Sequence, residues 1–201
     1  MTDKKISCLA CGVFKMELAA LTQQGKLDCD IIALESMLHI KPAKLEQEME
    51  RAMATGPKDK FLILYGDCHP GMHEMRNREN ASGVVGINCC DILLGREAYR
   101  KLQKDQAVIF LPEWTLRWQD LFTRELGFEK PEVAQAFMKE HRKRLVYADT
   151  GVIPLPEKTL RDISGFFDMP VEIQPISLDI LLLKISNALR KFTRRGQHDN
   201  D

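Results

Sequence analysis

Cysteines are the residues of this 201-residue chain whose number and placement suggest chemistry. Three of the six, Cys11, Cys68 and Cys89, stand beside turn residues where a predicted strand has just ended. In open parallel sheets, ligands bind outside the carboxyl ends of the strands. Neighbouring strands lie about 4.8 Å apart, so three nearby strand ends would bring these sulfurs towards one pocket. We therefore expect a three-thiolate site.

Three thiolates are soft ligands, and they suit two kinds of metal group. One is Zn²⁺ with water or histidine as the fourth ligand. The other is a [4Fe–4S] cluster in which one iron stays open to substrate. A structural zinc ribbon is not indicated, because no second CxxC pair follows Cys8-Leu-Ala-Cys11 and Cys8 lies inside its strand.

A cysteine in a reducing compartment is often only a small buried hydrophobic residue, and this interpretation stays open for all six. It is the preferred one for Cys8 and Cys29, which lie inside predicted strands. Cys90 points away from Cys89 at a helix start and is at best a reserve ligand. The expected site therefore uses three of the six thiols.

Two titratable residues stand where they could handle protons at such a site. Glu17 lies in the first predicted helix, and it is either a buried carboxylate near the site or a surface helix former. His69 directly follows Cys68 in a turn whose small residues let backbone N–H groups approach a ligand. Neither GxGxxG nor GxxxxGK[ST] occurs in the sequence, so no nucleotide-binding motif competes with this interpretation.

Composition argues against several classes of protein. The 29 basic residues are balanced by 29 acidic ones, which removes the long-range field of a dedicated nucleic-acid binder. The longest nearly uncharged apolar stretches span about ten residues, whereas a membrane-spanning helix needs roughly 20. Residues 1–5 lead directly into a short strand-like segment, which is too brief and too polar to be the apolar region of a signal peptide. We expect a cytoplasmic protein that binds neither nucleic acid nor a membrane.

Strand and helix patterns alternate along the chain, which is typical of βαβ units. The predicted strands are Ile6–Cys11, Cys29–Leu34, Lys60–Tyr65, Val84–Ile87, Ala107–Leu111, Leu145–Ala148 and Val171–Ile176. The predicted helices are Phe14–Leu21, Ala43–Ala54, one from Cys89 through Leu102, Trp118–Leu126, Pro131–Arg144, Glu157–Phe167 and Leu178–Phe192. We predict an α/β fold of Rossmann-like type, with a mostly parallel sheet flanked by helices. It forms a single domain over 1–192, or two small lobes meeting near 105–130, and is followed by a disordered tail over 193–201.

A set of motifs in this order resembles the domain-of-unknown-function family numbered sixteen thirty-eight, found largely in anaerobic bacteria and methanogens. The motifs are Cys11-Gly12 with Glu17, Leu38-His39 with Pro42 and Leu45, Tyr65-Gly66-Asp67-Cys68, Asn88-Cys89 with Leu94-Gly95, Phe110-Leu111 before Trp114, and Leu145-Val146-Tyr147. The chain departs from the family at His69, where members usually have Gly, and at Asn88, where they often have His. The resemblance implies that Cys11, Cys68 and Cys89 are the family's three cysteines.

The resemblance also suggests a setting in corrinoid-dependent methyl transfer. The leading hypothesis is a cytoplasmic protein of anaerobic one-carbon metabolism that holds a [4Fe–4S] cluster through Cys11, Cys68 and Cys89, with Glu17 or His69 handling protons. A zinc-thiolate enzyme for methyl or thiol transfer is the first alternative. The second is a non-enzymatic accessory that delivers a cofactor to a corrinoid or methyltransferase protein. We do not expect the chain itself to be the corrinoid carrier, because it lacks the Asp-x-His-x-x-Gly motif.

Overall fold

A computed structural model describes residues 6–198 of the chain, with side chains described for residues 6–192. Within this range, seven strands form two parallel sheets. The first sheet holds β1 (Ile6–Cys11), β2 (Asp30–Leu34), β3 (Lys60–Leu64) and β4 (Ala81–Gly83). The second holds β5 (Ala107–Phe110), β6 (Arg144–Asp149) and β7 (Val171–Pro175). The α/β, Rossmann-like class is confirmed, with the strands divided between two sheets.

Helices connect the strands, as parallel pairing requires. They are α1 (Lys15–Gln23), α2 (Pro42–Thr55), α3 (Met72–Asn77), α4 (Cys89–Leu94), α5 (Arg96–Lys104), α6 (Pro112–Leu116), α7 (Pro131–His141), α8 (Glu157–Phe167) and α9 (Asp179–His198). A π-helical turn covers Asp120–Glu125, and short 3₁₀ turns cover Gly12–Phe14 and Leu38–Ile40. No helix of the described residues is long and apolar enough to cross a bilayer.

The chain divides into two compact units. The first comprises the residues up to Gly95 together with those from Leu178 onward, so it contains β1–β4 and α9. Within it, the buried hydroxyl of Ser82 on β4 donates a 2.7 Å hydrogen bond to the carbonyl of Ala188 on α9. The second unit is the continuous segment Arg96–Ser177 with β5–β7. The division therefore falls at residues 95–96 and 177–178.

The first sheet has the strand order β2-β1-β3-β4. All residues of β1 and β3 except the first of each strand are buried, as expected for central strands of a parallel sheet that is covered on both faces. From β1 the chain moves to one side to form β2, and it then crosses back over β1 to form β3. The direction of winding thus reverses between β1 and β3. Such a reversal opens a crevice at the carboxyl ends of the strands, where open α/β sheets bind ligands.

The strand predicted at Val84–Ile87 is wrong. The chain pairs with β3 through the three residues of β4, and residues 84–88 form a loop that leads to α4. Val85 in this loop is 78% exposed, so the apolar run that suggested a strand is not a buried one. Cys89 is therefore reached through a loop and begins a helix rather than following a strand end directly.

Two helix boundaries also differ from the sequence prediction. The helix expected from Cys89 through Leu102 is divided into α4 and α5 at Gly95, whose φ of 84° cannot continue a helix. The closing helix continues past Phe192 to His198, where the sequence predicts a disordered tail. Residues 199–201 of that tail lie outside the described residues.

Candidate functional site

Three strands that are neighbours in the first sheet, β1, β3 and β4, lead to the three cysteines of the expected site. Cys11 is the last residue of β1, Cys68 lies four residues beyond β3, and Cys89 begins α4 after β4. Because β1, β3 and β4 are neighbours in the sheet, these residues share its carboxyl edge. Cys11 and Cys68 flank the crevice where the winding reverses, which is the expected position of a ligand.

Interactions between the sulfur groups connect the three residues. The thiols of Cys89 and Cys11 are joined by a hydrogen bond, and Cys11 Sγ donates to the carbonyl of Ser36 at 3.6 Å. Cys68 lies close enough to interact electrostatically with both Cys11 and Cys89. Cys11 and Cys89 are buried, whereas Cys68 is half-buried. The structure therefore brings the three predicted residues together.

The surroundings favour the protonated form of these thiols. The hydrogen bond to Cys11, followed by burial, raises the pKa of Cys89 well above its usual value. Burial, followed by the proximity of Cys11, raises the pKa of Cys68 to about 11, although a backbone hydrogen bond from Gly66 and the charge of Arg76 act in the opposite direction. Three thiolates would therefore require a bound cation to offset their charge.

A close backbone contact holds the loops of Cys68 and Cys89 together. A Cβ atom at Gly66 would lie 2.4 Å from the Cα of Asn88 and 2.8 Å from the carbonyl oxygen of Ile87. The N–H of Asp67 donates to that same carbonyl of Ile87 at 3.1 Å. Only glycine permits this approach at residue 66, which explains one residue of the Tyr-Gly-Asp-Cys motif.

The start of α4 is fixed by its capping residues. Asn88 is the N-cap, and its Oδ1 accepts the N–H of Asp91 at 2.9 Å. The carboxylate of Asp91 in turn accepts the N–H of Ile87 at 2.9 Å through Oδ2. Side-chain caps of this kind stabilise the first turn of a helix. They thereby fix the backbone of Cys89, the first helical residue.

Tyr65 is a residue of the site that the sequence analysis missed. It directly follows β3, and its buried hydroxyl has no hydrogen-bond partner in the part of the chain that the structure describes. Burial raises the pKa of Tyr65 far above its usual value, and the electrostatic effects of Cys11, Cys89 and Cys68 add to the shift in that order. The phenol therefore lies within electrostatic range of all three cysteines. Its place in the Tyr-Gly-Asp-Cys motif was the signal that could have identified it.

Arg76 is a second residue that the sequence analysis missed. It lies on α3, and its side chain is only 12% exposed. Its Nη1 donates to Asp67 Oδ1 at 2.7 Å, and its Nη2 donates to the carbonyl of Tyr65 at 2.6 Å. The guanidinium thus connects the two ends of the turn before Cys68, and its charge acts to lower the pKa of that thiol.

The two predicted proton-handling residues have different surroundings. Glu17 is fully buried in the first turn of α1, so it is not the surface helix former of the alternative interpretation. His69 is also buried, and its Nδ1 accepts the N–H of Gly71 at 3.1 Å. In the neutral ring this places the proton on Nε2. Burial is the main cause that lowers the pKa of His69, and the charge of Arg76 lowers it further. The carboxylates of Glu46 and Glu50 act in the opposite direction.

The remaining cysteines keep their structural interpretation. The Cys8 thiol forms a hydrogen bond with Cys29, and this bond together with burial raises its pKa well above the usual value. Cys29 directly precedes β2 and does not lie inside it. Cys90 is buried, which raises its pKa to about 12. Cys8 and Cys29 thus form a separate pair on β1 and the start of β2.

The donor set fits a soft metal by its chemistry, although it is not arranged as a finished site. Among the described side chains, no group of three or more His, Cys, Asp or Glu residues is already in position to hold a metal ion. Three thiols at one sheet edge nevertheless match the ligand preference of zinc and of iron–sulfur clusters. Binding would have to rearrange the three sulfurs around the metal.

Comparison with known families gives one match. The sequence profile described as a protein of unknown function, DUF1638, matches residues 33–183. This range contains Cys68 and Cys89 and begins after Cys11 and Glu17. Comparison with curated proteins and with solved structures gives no match.

Proposed function

The chain belongs to the DUF1638 family, whose description assigns no function, and from its site we propose that it is a metal-binding protein. Cys11, Cys68 and Cys89 are the proposed ligands, and a [4Fe–4S] cluster is the proposed metal group. The observation that carries the proposal is the interaction of three thiols at the carboxyl edge of one sheet, carried by the end of β1 and by the segments that follow its neighbours β3 and β4.

Electrostatics supports a cation at this position. A buried group of three sulfurs favours protons over negative charge, as the raised pKa values of Cys68 and Cys89 indicate. A bound metal ion reverses this preference, because a coordinated thiol is deprotonated outright. Three protein ligands would leave one iron of a cluster open to substrate, where it would supply Lewis-acid or redox chemistry.

The chain's own residues would position the ligands and handle protons. Arg76 and Gly66 hold the turn that carries Cys68, and Asn88 holds the start of α4 at Cys89. We assign proton handling to Glu17, which is a fully buried carboxylate, and to His69. The proton that neutral His69 can supply is the one on Nε2.

The state of the cysteines supports a reducing compartment. All six are free thiols, although Cys8 and Cys29 lie close enough for a hydrogen bond. Disulfides are rare in the cytosol, so we place the protein in the cytoplasm. The motif resemblance supports a role in anaerobic one-carbon or corrinoid-dependent methyl metabolism. There its partner would be a corrinoid or methyltransferase protein, which the chain would serve as an enzyme or as an accessory.

The test is the metal content of protein purified without oxygen. The wild type is expected to contain about four iron and four acid-labile sulfide per chain and to absorb visible light. Cys11→Ser, Cys68→Ser and Cys89→Ser should each lose most of this content, whereas Cys29→Ser and Cys90→Ser serve as controls and should keep it. Well-folded wild type without iron, sulfide and zinc would overturn the proposal, as would full metal content in all three site variants.

One observation favours the zinc alternative. The Cys11 and Cys89 thiols form a hydrogen-bonded pair, and one tetrahedral zinc ion could take both sulfurs as ligands at about 2.3 Å each. In that case the protein would be a zinc-thiolate enzyme of methyl or thiol transfer. Colourless protein with one zinc per chain, lost in the same three variants, would establish this alternative in place of the cluster.

A further inference from the structure

The hydroxyl of Tyr65 is a buried hydrogen-bonding group that the described residues leave unsatisfied. Tyr65 is 1% exposed, so the side chain is shielded from water, and among the described residues its hydroxyl has no hydrogen-bond partner. Buried hydroxyls normally form at least one hydrogen bond, because a buried hydroxyl without a partner reduces the stability of the fold. A buried donor of this kind is therefore available to bond a group that the described chain does not supply.

The sheet register brings Tyr65 and Cys11 to neighbouring positions. Ala10 of β1 pairs with Leu64 of β3 as the last pair of the ladder, and Cys11 and Tyr65 are the residues that follow on each side. Residues in register on parallel strands project from the same face of the sheet, about 4.8 Å apart. The interactions of Tyr65 with Cys11, Cys89 and Cys68 agree with this placement. Arg76 holds the backbone of Tyr65 in position through its carbonyl oxygen.

We infer that Tyr65 is a positioning residue of the metal site, whose hydroxyl donates a hydrogen bond to a sulfur of the metal-bound cysteines. The inference rests on the proposed metal-binding function and extends it. A thiol sulfur is a weak acceptor, but a thiolate carries the charge that makes a hydrogen bond strong. The hydroxyl would therefore lack a partner in the metal-free protein and gain one when the thiols lose their protons to bind metal.

This inference has opposite consequences for the two forms of the protein. In the metal-free form, Tyr65→Phe removes an unsatisfied buried group without changing the ring, so the protein should be as stable as the wild type or more stable. In the metal-bound form, the same change removes a hydrogen bond to a ligand. Groups that orient metal ligands in this way typically contribute about 10–100-fold to affinity. A purely structural tyrosine would not produce this combination.

The test uses Zn²⁺ and Co²⁺ as probes on the full chain, with Tyr147→Phe as the control. Tyr147 is also fully buried, but it lies on β6 of the second unit. We expect Tyr65→Phe to keep or raise the denaturation midpoint of the metal-free protein and to bind Zn²⁺ at least about tenfold more weakly in competition with a chromophoric chelator. The sulfur-to-cobalt charge-transfer band should shift in Tyr65→Phe and stay unchanged in Tyr147→Phe.

The results that would overturn the inference differ from those that would overturn the proposed function. Wild-type affinity for Zn²⁺ in Tyr65→Phe would overturn the inference and leave metal binding intact. A lower midpoint of metal-free Tyr65→Phe would also overturn it, because the hydroxyl would then already have a partner. Well-folded wild type that contains no iron, sulfide or zinc after purification without oxygen, and binds neither probe through its cysteines, would overturn the proposed function and the inference together.

Discussion

The backbone of Gly66 lies directly on the backbone of Asn88. A Cβ atom at residue 66 would be 2.4 Å from the Asn88 Cα and 2.8 Å from the Asn88 nitrogen, closer than side-chain carbons approach backbone atoms in proteins. The neighbouring atoms belong to the main chain, so they cannot rotate away. Since Cys68 and Cys89 follow these two positions closely, the separation of two proposed ligands depends on this contact.

Substitution Gly66→Ala should therefore damage both stability and metal binding. The added methyl group forces the two loops apart, and overpacking of this kind typically costs about 1–3 kcal/mol of unfolding free energy. Metal content per folded chain should also fall, which a loss of stability alone would not cause, because Cys68 moves relative to Cys89. Chemical denaturation and metal analysis of the same preparation measure the two effects.

The matched control is Ser82→Ala, which weakens the same unit away from the cysteine loops. It removes the hydrogen bond from the buried Ser82 hydroxyl to the Ala188 carbonyl, which should reduce stability by about 1–3 kcal/mol. Metal content per folded chain should stay at the wild-type level. Equal metal loss in the two variants would show that stability alone, and not the Gly66 contact, controls binding.

Asn88 offers a second test of how α4 positions Cys89. Asn88→Ala removes the acceptor of the Asp91 N–H, and loss of an N-cap typically costs about 1 kcal/mol. Because Cys89 is the first helical residue, the metal affinity of this variant should fall as well. Asn88→Ser keeps a capping oxygen and should retain most of both properties. Thermal denaturation measures the stability of the three proteins, and chelator competition measures their metal affinity. Both should decrease from the wild type to Asn88→Ser and further to Asn88→Ala.

Much of the cysteine site was predictable from local sequence. Cys11 and Cys68 each lie next to a glycine-containing turn, and the strands before them are continuous apolar runs, which is the pattern of central parallel strands. From these features the carboxyl edge of the sheet could be identified. The adjacency of β1, β3 and β4, which brings Cys89 to the other two, could only be assumed.

The supporting residues were not predictable in the same way. Tyr65 occupies the end of an apolar strand, where its aromatic ring suggests only core packing. Its role depends on the register of β1 against β3, which involves residues more than fifty positions apart. The sequence predicts a strand at Val84–Ile87 because valine and isoleucine favour strands. The exposure of Val85 and Ile87, however, is set by tertiary structure.

The accessibility of Cys68 predicts its reactivity in the metal-free protein. It is the half-buried member of the six cysteines, whereas the other five are buried, so iodoacetamide should modify Cys68 first. Only the thiolate reacts, and the pKa of Cys68 is raised to about 11. The rate should therefore be low at pH 7 and rise about tenfold per pH unit up to pH 10 without levelling off. Peptide mass spectrometry measures the rate, and a plateau near pH 8.5 would contradict the raised pKa.

Arg76 should set part of that reactivity through its charge. Its guanidinium acts to lower the pKa of Cys68, so Arg76→Met should raise this pKa further and reduce the alkylation rate at pH 9 at least about twofold. Arg76→Lys keeps the positive charge but loses the forked contact to Asp67 and the Tyr65 carbonyl, so its rate should stay closer to that of the wild type. Arg51→Met removes an exposed charge on α2 and should not change the rate. Faster reaction in both Arg76 variants would mean instead that Arg76 acts by keeping the turn closed over the thiol.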